Sequence, residues 1–170
     1  RYYEDALVQY KAVMDEYKSN DSIRGYAYAL KTHAGFLLAT GDVNGARNSY
    51  TEALSLYRQV AEEDPKPDNQ QGVSVALDTL AGFEKGQGAI GTARTHYEEA
   101  LAIAKQLAES VGRPEYKRSY AIALERLAEF EHSANKNERA KRYYDESLVQ
   151  YKAVMDEYKS HDSIRGYAYA

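Results

Sequence analysis

Four histidines, His33, His96, His132 and His161, are the side chains best suited to move a proton near neutral pH. None has a carboxylate or second histidine at a spacing that would make it a catalytic base or a metal ligand. The paired carboxylates Glu62-Glu63 and Glu98-Glu99 are adjacent, so on a helix they diverge by about 100° instead of converging on a substrate. There is no cysteine, which removes disulfides, thiolate chemistry and Cys-ligated zinc. Gly86-Gln87-Gly88 follows no strand pattern, so the context of a phosphate loop is missing. The expectation is a non-enzyme without cofactor, catalytic residues or metal site.

The abundant functional side chain is tyrosine, 17 of 170 residues with no tryptophan. Tyrosine suits recognition better than catalysis, because it offers a large contact area at low entropic cost. Net charge is −4, against the basic stripe that a nucleic-acid binder needs. The one basic cluster, Lys136, Arg139, Lys141 and Arg142, is interrupted by Glu138 and reads as a solvated helix face. The longest apolar runs are a handful of residues, such as Ala100 to Ala104, far short of the roughly 20 that a membrane helix needs. Neither nucleic acid nor membrane is an expected partner. A chain free of cysteine fits a reducing, cytoplasmic compartment, and one opening on Arg1 reads as a piece of a longer protein.

The elements that would position these side chains recur. Residues 1–29 return as residues 142–170, with only Glu4/Asp145, Asp5/Glu146, Ala6/Ser147 and Asn20/His161 differing. The offset of 141 residues is three times 47, and the chain aligns on itself every 47 residues without a gap. Tyr3, Tyr50, Tyr97 and Tyr144 form one column, and Ala6, Ala53, Ala100 and Ser147 another. Leu30, Leu77 and Leu124, Ala34, Ala81 and Ala128, Phe36, Phe83 and Phe130, and Ala46, Ala93 and Ala140 form others. One structural unit is expected to be used repeatedly, giving a single array over 1–170 with units 1–47, 48–94, 95–141 and a partial 142–170. Duplication of a three-unit block accounts for the near-perfect copy, with engineered copying the alternative.

Each unit holds two amphipathic stretches with apolar residues stepping by three and four. Pro65 and Pro67 end one helix; Gly41, Gly88 and Asn135 suit left-handed closing turns; Pro114 suits a first helical position. The expected order is helix B (about 1–18), A (22–39), B (43–63), A (68–85), B (89–110), A (114–133), B (136–159) and the start of a further A. Short connections force antiparallel neighbours. Tyr3, Tyr10, Tyr50, Tyr57, Tyr97, Tyr144 and Tyr151 fall on the stripe of helix B expected to be buried. Tyr26 and Tyr28, like Tyr167 and Tyr169, alternate with alanine and cannot face the same way. The fold expected is all-α, a right-handed α-solenoid of antiparallel helix pairs.

Leu77, Leu80-Ala81, Gly88, Ala93, Tyr97 and Ala100-Leu101 resemble the tetratricopeptide repeat in type and spacing. Ala46, Tyr50 and Ala53 do so one unit earlier; Ala140, Tyr144 and Ser147 one unit later. HEAT-type arrays share the period but lack a glycine turn followed by alanine. The usual tetratricopeptide unit is about 34 residues, so this is a long-helix variant, like repeats of large bacterial proteins. The Phe of helix A also stands one position early, and His33 takes the place of Leu80 and Leu127.

The resemblance implies a concave groove lined by helix A at Tyr28, Val75, Ile122 and Tyr169, with Lys31, Leu38, Asp78, Lys85, Glu125, Glu129 and His132 in the same register. It implies a scaffold that binds a protein or peptide there. The alternative is a structural array that spaces other domains or associates head to tail, since neither end shows a polar cap and the two ends share one sequence.

Overall fold

The computed structural model describes the backbone of residues 2–168 and the side chains of residues 2–159. It contains α1 (Tyr2–Tyr17), α2 (Asn20–Ala39), α3 (Val43–Glu63), α4 (Pro67–Gly86), α5 (Ile90–Val111), α6 (Pro114–Ser133) and α7 (Asn137–Ala168). No strand occurs among the described residues. The fold is an all-α solenoid of helix pairs. The chain divides into two compact units, Arg1–His96 and Tyr97–Ala170.

The turns follow from the residues that close them. Gly41, Gly88 and Asn135, 47 residues apart, have φ of 91°, 77° and 58°. In each case the next N–H returns to a carbonyl five residues back: Asp42 to Leu37, Ala89 to Glu84 and Lys136 to Glu131, all at 2.9 Å. The left-handed residue also donates to Leu38, Lys85 or His132, completing a Schellman closure of α2, α4 and α6. Proline occupies the first turn of α4 and α6, where its missing donor costs nothing. Pro67 thus lies inside α4, one residue before the expected start.

In the first unit α2 packs on both α1 and α3, and α3 on α4. Tyr26 and Leu30 of α2 meet Ala53 and Leu56 of α3 on one side, and Leu7 and Met14 of α1 on the other. Ala34, Ala46 and Ala81 are fully buried, which lets helix axes approach to about 8–10 Å. In the second unit Tyr120, Ala123 and Leu124 of α6 pack against Ala104 and Ala108 of α5, with Tyr143 of α7 at the edge. One contact type recurs in both: Tyr3 meets Phe36, Tyr50 meets Phe83 and Tyr97 meets Phe130, with ring centroids 5.0, 5.4 and 5.5 Å apart. The early Phe of helix A is therefore the partner of the tyrosine in helix B.

Two expectations fail. The last helix does not break near residue 160; α7 runs on to Ala168. The same sequence breaks in the first copy, where Lys18 has φ 47° and Ser19 and Ser22 cap α2 reciprocally. A left-handed lysine costs about 1–2 kcal/mol, offset there by α2 docking on α3. Nor are the helix B tyrosines uniformly buried: Tyr97 is, but Tyr3, Tyr10 and Tyr144 stay 45%, 45% and 38% exposed. The other buried tyrosines among the described residues, Tyr26, Tyr116 and Tyr120, are on helix A.

Candidate functional site

A cleft of about 520 Å³ opens between α2 and α4, with α3 as its floor. Arg24, Gly25 and Tyr28 of α2 face Asp68, Asn69, Gln71, Gly72 and Val75 of α4, and Tyr57 and Val60 rise between them. Its floor depends on a glycine. A Cβ at Gly72 would sit 2.9 Å from Cδ1 of Tyr57, so the bare backbone is what lets that ring lie across α4. Gly25 does the same for Tyr10, at 3.3 Å. Burial pushes the Tyr57 phenol above its ordinary value, and the Arg24 charge partly opposes this.

A polar tie holds the mouth. Arg24 donates to Oδ1 of Asn69 at 3.3 Å, and Nδ2 of Asn69 donates to the Asp64 carbonyl at 2.8 Å. Asn69 is only 4% exposed, and it links the loop after α3 to α2. Above the tie stand two apolar side chains that the fold leaves in water: Tyr28 is 56% and Val75 45% exposed. Lys31 reaches over the Tyr28 ring, 5.1 Å from its centroid.

Of the residues expected to line a groove, the cleft brings together Tyr28 and Val75. Leu38, Asp78 and Lys85 are half-buried on α2 and α4 and do not line it. In the second unit Ile122 is 38% exposed on α6. Glu125 accepts a hydrogen bond from the Tyr151 hydroxyl at 3.0 Å and so helps hold α7. Glu129 is 3.5 Å from Arg126, and Nδ1 of His132 is 3.0 Å from Oδ1 of Asn137. Tyr169 lies outside the described residues. Sequence reasoning missed Arg24, Asn69 and Tyr57, although one signal for Tyr57 was present. Tyr10 and Tyr57 are followed fifteen residues on by Gly25 and Gly72, whereas Ala104 is followed by Ser119.

The histidines also need correction. His96 does have a carboxylate partner: its Nδ1 lies 2.8 Å from Oε2 of Glu84, because the closed turn folds the second turn of α5 against the last turn of α4. Among the described residues no group of three or more acidic or histidine side chains could hold a metal ion. No helix there is long and apolar enough to cross a membrane. Of the basic cluster, Lys136 and Arg139 each lie 3.8 Å from the buried Glu131, and Lys141 pairs with Asp145 at 2.8 Å.

No family model matches the chain, and no curated protein matches it. Solved structures do. BtubC (BKLC) from P. vanneervenii superimposes with a TM-score of 0.64 at 24% identity, over 89% of this chain and 57% of that one. The likeness is one of fold. This chain thus spans little more than half the length of that structure. A DHF58 filament gives a TM-score of 0.45 at 20% identity over 93% of both chains, and MamA 0.33 at 16% over 91% of both; neither is close enough to support an argument.

Proposed function

We propose that this chain is a non-catalytic, tetratricopeptide-like scaffold that holds a segment of a protein partner in the cleft between α2 and α4. Its repeats are the 47-residue units 1–47, 48–94 and 95–141, with 142–170 a partial fourth. The observation that carries the reading is the pairing of Tyr28 and Val75, both about half exposed, across a cleft floored by the Tyr57 ring. Covering the exposed half of such a side chain contributes roughly 1 kcal/mol, and 520 Å³ falls within the roughly 300–1,000 Å³ of ordinary ligand clefts. Arg24, Asp68 and Asn69 at the mouth supply polar atoms that can orient a peptide. The cleft stands on packed helices and needs little ordering on binding, which lowers the cost of association.

The test is selection of peptides from a random phage-displayed library on the full chain, followed by affinity measurement on variants. Tyr28→Ala and Val75→Asp each weaken the selected peptides by about tenfold or more, while circular dichroism shows unchanged helix. Val149→Asp, 62% exposed on α7, leaves affinity alone. Peptides that bind the two cleft variants as well as the parent would refute this site.

A further inference from the structure

Asn44 and Gly45 are the one asparagine–glycine pair in the sequence, and the start of α3 explains the glycine. Asp42 is the N-cap of α3, and its Oδ1 accepts from the Gly45 N–H at 2.8 Å. A Cβ at residue 45 would stand 2.3 Å from Oδ2 and 2.8 Å from Cγ of Asp42. Any other residue there would push the carboxylate off its hydrogen bond. At the two corresponding turns Ala89 precedes Thr92 and Lys136 precedes Arg139; no capping carboxylate is present, and a side chain is tolerated. The cap thus dictates a glycine on the carboxyl side of Asn44, which is exposed to water.

Such a pair carries chemistry of its own. The backbone nitrogen after an asparagine can attack the side-chain amide carbon, and glycine leaves that nitrogen least hindered and its backbone most free to turn. The N–Cγ bond forms, the Cγ–Nδ2 bond breaks, and the backbone amide proton departs with Nδ2 as ammonia. Water then opens the cyclic imide at either carbonyl, giving aspartate or isoaspartate. In α3 the attacking atom is the nitrogen that Asp42 holds, and the next N–H, of Ala46, donates to the Asp42 carbonyl at 3.0 Å. Both bonds fix the first turn, so the Gly45 nitrogen reaches Cγ of Asn44 only when that turn opens. We propose that Asn44 is a site of spontaneous deamidation and that Asp42 is the latch that sets its rate. The reaction runs from the opened first turn of α3, a local opening well short of global unfolding. Isoaspartate adds a backbone carbon two residues before Ala46, which is fully buried, so the first turn cannot close again as before. The modification therefore marks chains in which the start of α3 has opened.

The experiment incubates the full chain in mildly alkaline buffer and follows each asparagine by peptide mass mapping, with electron-transfer fragmentation to tell isoaspartate from aspartate. In the folded parent Asn44 converts, and more slowly than in the same chain unfolded in urea. Asp42→Ala raises the folded rate by about fivefold, the factor that corresponds to loss of an N-cap. Asp42→Ser keeps an oxygen acceptor at the cap and leaves the rate at the parent's. Asn48, exposed one turn further on but followed by Ser49, stays intact throughout. Circular dichroism checks that the folded chains are equally helical. An Asp42→Ala chain that converts Asn44 no faster than the parent would overturn the latch, and a slower one would make the carboxylate a base that promotes the reaction. A folded parent that converts as fast as the urea-unfolded chain would overturn it too, whether or not Asp42→Ala keeps its helix. The outcome is independent of peptide binding in the cleft.

Discussion

His33 stands in a column otherwise filled by Leu80 and Leu127, which are 4% and 0% exposed. Its two ring nitrogens are buried without a hydrogen-bond partner, and its ring lies beside Phe36, 6.3 Å between centroids. An unsatisfied buried polar group costs about 1–3 kcal/mol. His33→Leu should therefore stabilise the fold by about 1–2 kcal/mol, read as a higher denaturant midpoint with an unchanged slope. The opposite sign is expected at Asn69, whose side chain ties α2 to the loop after α3: Asn69→Ala should cost about 1–3 kcal/mol, since it removes two hydrogen bonds, one to the Asp64 carbonyl and one from the charged Arg24. The His33 anomaly was legible from the columns alone. The Asn69 tie was not, because its partner Arg24 is 45 residues away and no periodicity joins them.

Helix against helix, the clearest rule is tyrosine over glycine. Gly72→Ala adds a Cβ 2.9 Å from the Tyr57 ring, an overpacking that costs about 1–3 kcal/mol against a gain of about 1 kcal/mol in helix propensity. A net loss of about 1 kcal/mol is expected, and it should vanish in the background of Tyr57→Ala, where the ring is gone. The pair Ala104 and Ser119 is the same solution written in the other direction. Helix existence and turn chemistry were readable because Gly41, Gly88, Asn135 and Pro114 impose backbone geometry locally. Burial depth was less so: a stripe of apolar residues says which face meets a neighbour, not whether a second neighbour exists, and so Tyr3, Tyr10 and Tyr144 read as buried.

Over the whole molecule, tyrosine makes the fold sensitive to alkali. Burial raises the phenols of Tyr26, Tyr50, Tyr57, Tyr120 and Tyr151, and hydrogen bonds from Tyr26 to Glu52, Tyr120 to Glu146 and Tyr151 to Glu125 add to it. A folded value above the unfolded one means that the contribution is complete below tyrosine's ordinary value near 10 and is lost as pH rises beyond it. Stability should thus be flat from neutrality to about pH 9 and fall steeply above about pH 10, less steeply in Tyr120→Phe, as followed by denaturant titration at each pH.

The central claim is that the cleft between α2 and α4 is where this scaffold holds a partner. The most direct measurement is backbone amide shift mapping of the full chain titrated with a library-selected peptide. Saturable shifts concentrated on Arg24 to Tyr28, Tyr57 and Asn69 to Val75 are the predicted result. Shifts confined to other helices, with those amides unmoved at saturation, would contradict it.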